Sequence, residues 1–278
     1  MKKNAGTVKM ITRFTAIAPA GFRSVARGAA APCQQPENTT AGNTGIVMVA
    51  MQNFLWMKSQ VFNTDCLAAM REMPDNVFDL AVVDPVYGGV TKGGYMHNQG
   101  KGKKQYHIAL WEQEKTGAEY FAELFRISKN QVIWGGNYFQ KVINQDSQCW
   151  LVWDKLNDNS KYADCELAWT SFNSATRIFR FTWDGFRQQD MKNKETRIHP
   201  TQKPIALYAW IFRLFAKPGM KILDTHLGSG SSRLAAWDAG LDFTGYEIDK
   251  TYFDLQEERF QNYIAQDNIF WKLEGEEK

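Results

Sequence analysis

The chain has 278 residues, 44% of them hydrophobic and 23% charged, with a formal net charge of +3. That length buries a full core and fits one α/β domain with an insertion, and no apolar run is long enough to span a bilayer. The charge is uneven. Residues 1–56 carry six basic residues against one acid, Glu37, and the remainder carries 27 basic against 29 acidic residues, so a nucleic-acid partner needs locally gathered cations.

The four cysteines, Cys33, Cys66, Cys149 and Cys165, form no CxxC pair. Neither a zinc site nor a disulfide framework is indicated, and a reducing, cytoplasmic setting is expected. Residues 1–50 are rich in Ala, Gly, Thr and Asn without a clear period and read as mostly disordered. Their Arg-bearing, acid-poor character resembles an organelle transit peptide. The blander reading, an extension before a start at Met51 or Met57, is preferred, because everything regular follows Met57. Residues 1–56 are therefore set apart from a domain spanning 57–278.

From Val61 the pattern becomes regular. Asp65 caps a short helix through Met70, Pro74-Asp75-Asn76 turns, and residues 78–83 form a strand. Residues 88–107, with Gly, Lys and His, read as a mobile loop. Tyr120, Phe121, Leu124 and Phe125 recur at helical spacing over 118–129. Strands are expected at Gln131–Trp134, Cys149–Trp153, Glu166–Thr170 and 175–183, with an irregular stretch over 184–198. Pro204 opens a helix over Ile205–Phe215, since proline is tolerated in a first turn, and Thr201 is a candidate cap. A strand at 220–224, a helix at 231–239, a strand at 243–247 and a helix at 250–265 complete the chain. Strands alternating with helices predict a doubly wound, mostly parallel sheet.

Four segments carry chemistry. Asp84-Pro85-Val86-Tyr87 follows the apolar run Leu80-Ala81-Val82-Val83 and offers a carboxylate, a rigid backbone and a flat ring. That set suits a planar, amino-bearing ring; read alone, it is equally a strand-end turn with Tyr87 in the core. Leu223-Asp224-Thr225-His226-Leu227-Gly228-Ser229-Gly230 runs from a strand into a Gly-rich turn, where backbone approaches a ligand closely and the next helix presents its N-terminus. It lacks the third glycine of a dinucleotide fingerprint and the Lys-Ser/Thr pair of a phosphate loop. Glu247, at the end of the following strand, can accept hydrogen bonds from both hydroxyls of a ribose. His199-Pro200-Thr201-Gln202-Lys203-Pro204 places Lys203 either on a carboxylate or in solvent, and His199 with His226 makes a poor metal site.

In combination and in this order, these segments resemble an S-adenosylmethionine-dependent DNA amino-methyltransferase of the group whose catalytic motif precedes its cofactor motif. The resemblance runs from about Val61 to Tyr263. Asp84-Pro85-Val86-Tyr87 is similar to the family's Asp-Pro-Pro-Tyr motif, with Val86 in place of the second proline. Asp224 to Gly230 resembles the cofactor loop, with Thr225-His226-Leu227 replacing its usual phenylalanine-containing turn. His199 to Pro204 resembles the segment whose lysine meets the methionine carboxylate, and Asp65 falls where the family has an acid near the adenine. The resemblance implies a Rossmann-like methyltransferase fold in permuted order.

It further implies methyl transfer from S-adenosylmethionine to adenine N6 in a specific sequence of double-stranded DNA, with the base extruded from the stack. Asp84, Pro85 and Tyr87 become the catalytic set, and Asp65, Lys203, Asp224, Gly228, Ser229, Gly230 and Glu247 the cofactor set, without metal. The aspartate favours adenine over cytosine N4, whose enzymes more often carry serine there. Residues 155–198 are the candidate target-recognition insertion. Arg177, Arg180 and Arg187 there, with Lys101 and Lys103 of the loop, are candidate DNA contacts; Lys155 belongs to the same basic set. Tryptophans 150, 153, 169 and 183 are assigned to the core. Cytosine-N4 methylation, RNA or protein methylation and a non-catalytic DNA-binding relative remain alternatives, and a companion nuclease, as in restriction-modification, is left open.

Overall fold

The computed structural model describes residues 58–88, 115–158, 163–184 and 187–275, all within the compact unit Thr44–Lys278. Lys101, Lys103, nearly all of the 88–107 loop and the 1–56 extension lie outside them. The elements in chain order are β1 (Ser59–Phe62), α1 (Cys66–Arg71), β2 (Leu80–Val83), α2 (Ala118–Ile127), β3 (Gln131–Trp134), α3 (Gly136–Ile143), β4 (Leu151–Asp154), β5 (Cys165–Thr170), β6 (Arg177–Arg180), β7 (Trp183–Asp184), β8 (Arg187–Gln188), α4 (Ile205–Phe215), β9 (Lys221–Asp224), α5 (Ser231–Asp238), β10 (Asp242–Tyr246) and α6 (Lys250–Gly275).

Eight strands form one sheet in the order β1-β10-β9-β2-β3-β5-β4-β6. β5 pairs antiparallel with both β3 and β4; the other pairings are parallel. The central strands β2 and β3 are buried along their whole length, as a sheet covered on both faces requires. Their side chains alternate between two cores. Leu80, Val82, Val132 and Trp134 pack with Leu207 and Ile211 of α4 and Ala235 of α5. Ala81, Val83 and Ile133 pack with Met70 of α1, Leu124 of α2 and Phe139 of α3. Edge strand β1 instead alternates half-buried and exposed positions.

From β2 the chain crosses through α2 to β3 on one side, and from β9 it crosses through α5 to β10 on the other. The two crossovers lie against opposite cores and leave a crevice at the carboxyl ends of β2 and β9. Open α/β sheets bind ligands at such a switch point.

Several boundaries differ from the sequence reading for local reasons. Helix α3 stands between β3 and β4, where the sequence predicts no element. Gly135 takes φ +67, which turns the chain sharply enough for a helix to start at once. The predicted strand 175–183 is divided. β6 follows β4 only to Arg180, after which the Thr182 amide donates to Gln189 Oε1 at 3.1 Å and Trp183–Asp184 pairs with Arg187–Gln188. Pro204 is the cap residue of α4, not a first-turn residue. The free Ile205 amide donates to Glu195 Oε1 at 2.9 Å, so Thr201 does not cap. α6 extends to Gly275. Within 155–198, β5 and β6 belong to the main sheet, and the described stretch around the β7–β8 pair lies outside it. Trp153, Trp169 and Trp183 are buried, and their indole N–H groups each donate to a backbone carbonyl.

Candidate active site

A cavity of about 240 Å³ opens at this crevice. Its wall is shared by the loop after β1, the loop after β2, the segment before α4, the turn after β9 and the end of β10. Eight residues expected from the sequence line it: Asp65, Asp84, Pro85, Tyr87, Lys203, Gly228, Ser229 and Glu247. Asp224 and Gly230 do not, and act one step behind. Buried Asp224 accepts from Ser232 Oγ at 2.5 Å and from the His226 amide at 3.0 Å. Burial pushes its carboxyl up to about 6. Gly230, at φ +71, caps α5. Both therefore set the shape of the turn. The Asp65 carboxylate caps α1 through the Ala68 amide at 2.8 Å.

The turn after β9 meets the cavity with backbone. Glu247 stands just past β10 and accepts the Gly228 amide at 2.8 Å and the Asp249 amide at 2.9 Å. Only 4% exposed, it is pushed by burial up to about 7 despite these donors. His199 packs edge-on against Tyr252 with ring centroids 4.2 Å apart. Burial lowers its pKa to about 3 and keeps the ring neutral. The Thr201 amide donates to Nδ1 at 3.3 Å, which assigns the ring proton to Nε2, a buried atom without a partner.

The loop after β2 meets the cavity with charge. Lys203 is buried to 5% exposure. Its ammonium donates to Asp84 Oδ2, lies 3.2 Å from Glu166 Oε2 and sits over the Trp134 ring at 5.5 Å. Burial opposes the lysine charge, but the Asp84 and Glu166 carboxylates outweigh it and raise its pKa well above the usual value. Burial also raises Asp84, beyond what Lys203 takes back. Asp84 Oδ1 is buried and accepts nothing. Glu166 is pulled down to about 2, because Lys203 and Lys155 together overcome its burial.

Tyr87 stacks on the half-exposed Tyr138 with centroids 4.7 Å apart and planes 11° from parallel. A Cβ on Gly135 would meet the Tyr87 ring at 2.7 Å, so glycine admits the ring there. Arg177, Arg180 and Arg187 lie outside the cavity and are exposed. Lys155 is not a surface cation: its ammonium lies 2.6 Å from Glu166 Oε1.

Sequence reading missed Glu166, Tyr138 and Tyr208, a buried cavity-lining residue of α4. For Glu166 a signal was present, an acid inside the apolar strand Cys165-Glu166-Leu167-Ala168-Trp169. Among the described residues no cluster of three or more His, Cys, Asp or Glu is placed to hold a metal, and no helix is long and apolar enough to cross a membrane.

Residues 91–258 match the model of a DNA methylase family that takes in N6 and N4 methylation. The chain is 22% identical over 245 residues to the type II methyltransferase M.HinfI of Haemophilus influenzae, covering 72% of this chain and 68% of that one. It is 22% identical over 246 residues to M.HpaI of Haemophilus parainfluenzae, covering 74% and 75%. Among solved structures, the cytosine-N4-specific PvuII DNA methyltransferase superposes with a TM-score of 0.50 at 12% identity, over 73% of this chain and 87% of that one; this likeness concerns the fold. The chain belongs to the DNA methylase family and is an S-adenosylmethionine-dependent DNA methyltransferase.

Proposed function

We propose that this methyltransferase modifies the exocyclic N6 amino group of adenine in double-stranded DNA. The observation that carries the reading is Asp84 Oδ1, a buried oxygen without a donor on a carboxylate that lines the cavity. An unmade hydrogen bond at a buried charged group is costly, and an amino group supplies the missing donor.

S-adenosylmethionine supplies a sulfonium-activated methyl group when bound. The residues present fit it. Glu247 and the Gly228–Ser229 backbone stand ready for ribose hydroxyls. Neutral His199 offers an unpartnered Nε2–H of the kind a carboxylate accepts. Asp65 is assigned to the adenine side. Lys203 is assigned to Asp84 rather than to the cofactor, because two carboxylates already hold its ammonium.

On the acceptor side, Asp84 Oδ1 and the Pro85 carbonyl take the two amino hydrogens. This concentrates lone-pair density on the nitrogen and orients it, and orientation is a large part of the catalytic effect. Asp84 Oδ1 then takes the proton that the nitrogen sheds. Tyr87 stacks on the extruded base, offsetting part of an unstacking cost of roughly a few kcal/mol. Arg177, Arg180 and Arg187, with Lys101 and Lys103, contact DNA, and the stretch around the β7–β8 pair contributes to target recognition.

The test is tritiated methyl transfer to duplex DNA, followed by hydrolysis and separation of the nucleosides. Label in N6-methyldeoxyadenosine is expected. Label confined to N4-methyldeoxycytidine would keep the amine clamp and overturn the choice of base. No label on any DNA, with cofactor binding intact, would overturn the enzymatic reading.

A further inference from the structure

Four charges stand in a row that leads to the cavity: Lys155 and Glu166 behind its wall, Lys203 and Asp84 in it. Glu166 touches both lysines, at 2.6 Å and 3.2 Å, and Lys203 touches Asp84. Their side chains are 4–26% exposed, so solvent screens them weakly. The fold brings them together by reversing one strand. Because β5 runs antiparallel between β3 and β4, its first residues lie beside the carboxyl ends of those strands. Glu166 stands opposite Trp153, one strand away from Trp134.

A lysine with one carboxylate partner in such a place loses its counter-charge whenever that partner is neutralised. A second carboxylate prevents this. We propose that Glu166 is a positioning residue for methyl transfer: a second counter-ion that keeps Lys203 charged and turned onto Asp84 Oδ2, leaving Oδ1 for the acceptor amine. This rests on the assignment of Asp84 as the amine acceptor. Lys155 has the complementary task of holding the other oxygen of Glu166.

The groups facing Lys203 are Asp84 and Tyr87 from the loop after β2, Glu166 from β5, Tyr208 from α4 and, farther off, Asp224 from β9 and His199 from its own segment. With Asp84 in place, Glu166 is the remaining carboxylate in contact with the ammonium. Removing its charge moves the Lys203 pKa downward and leaves the surrounding apolar packing in place.

The test compares Glu166→Gln and Glu166→Asp with wild type in the full chain. The first readout needs no turnover: the side-chain NMR titration of ¹³C-labelled lysine, with Lys203 assigned through Lys203→Met. Lys203 is expected to titrate above the ordinary lysine range in wild type and measurably lower in Glu166→Gln. The second readout is kinetic. Glu166→Gln is expected to lower kcat by about ten- to a hundredfold, by analogy with the partners that orient metal-ligating side chains. Its cofactor Kd should stay within about twofold, and kcat should fall with rising pH where wild type stays flat. Glu166→Asp, which keeps the charge and loses reach, should recover part of kcat and the flat profile. If Glu166→Gln does not fold, Glu166→Leu, which also removes the charge and replaces a buried ion-pair member by an apolar group of similar size, carries both readouts.

An unshifted Lys203 titration overturns the proposal, as does a wild-type kcat in Glu166→Gln. A kcat loss with an unchanged pH profile and no recovery in Glu166→Asp overturns it in favour of a packing role. A wild type that never labels DNA overturns the enzymatic reading instead, while the lysine titration still decides whether Glu166 holds Lys203.

Discussion

The loop after β2 and the turn after β9 face one cavity from neighbouring strands. The first presents side-chain charge: Asp84 with one oxygen on Lys203 and one bare, backed by Glu166 and Lys155. The second presents backbone, with its shape held from behind by Asp224, Ser232 and Glu247. The difference fits the two tasks proposed for them. A neutral adenosine is held by shape and neutral donors, which glycines and amides supply. An amine that must become nucleophilic needs a fixed negative oxygen, and a fixed buried charge needs counter-charges. Substitutions on the first side should strike chemistry, and those on the second should strike cofactor affinity.

Asp84→Ala is the severest way to break that division. It removes the proposed acceptor for the amine and leaves Lys203 with Glu166 as its carboxylate partner. Turnover should fall by about 10³-fold or more, while cofactor affinity stays within a few-fold, as read by single-turnover methylation beside calorimetric titration. A fully active variant would refute the role given to Asp84. Parallel loss of turnover and cofactor binding would show that the two loops do not divide the work.

Glu247→Gln probes the other side through pH. Burial raises the Glu247 pKa from the usual 4.5 to about 7, so the fold favours the protonated acid. Its contribution to stability is therefore present below about pH 4.5 and is lost as pH rises through about 7. The amount is on the order of 3 kcal/mol for a shift of this size. Ribose hydroxyls donate better to the carboxylate, so cofactor affinity should move the other way and tighten across the same interval. Thermal melts and cofactor titrations from pH 5.5 to 8 should show both trends in wild type, and Glu247→Gln should lose the Glu247 share of each. The difference between the proteins isolates this residue from Asp224, which is raised to about 6. Identical pH profiles in the two would sink the assignment.

The cofactor side was easier to read from sequence than the catalytic side because its signals are local. A strand, two glycines and an acid at the next strand end stand within 25 residues of one another, and Gly228, Ser229 and Glu247 all reach the cavity. The tetrapeptide was equally visible and Asp84 stands where expected. The second carboxylate on Lys203 could not be placed, because Glu166 reaches the lysine through the antiparallel pairing of β5, and an acid inside an apolar strand does not say which strand it will lie beside. Lys155 looked like one more surface cation for the same reason. Helix α3 was hidden by its opening glycines, although Phe139, Val142 and Ile143 carry helical spacing. The continuous strand expected over 175–183 failed because alternation continued past the point where β4 runs out at Asp154.

Tyr138 marks the boundary between the two kinds of contact, and its loss should be the mildest. Its ring is 54% exposed and stacked on Tyr87, while its backbone carbonyl accepts from Lys115 Nζ at 2.5 Å. Stacking between aromatic rings is worth about 0.5–1.5 kcal/mol beyond area burial, with the low end fitting an exposed pair. Tyr138→Ala should lower the melting temperature by roughly 2–4 °C per kcal/mol lost. Tyr87 keeps the other contacts that fix it: Gly135 beneath the ring and the Val86 carbonyl, which accepts the Thr116 amide at 2.8 Å. Turnover should therefore stay within about fivefold of wild type, a barrier change of roughly 1 kcal/mol. A loss approaching that of Asp84→Ala would instead place Tyr138 against the target base. The charged side of the cavity would then depend on a second aromatic plane as much as on its buried ion pairs.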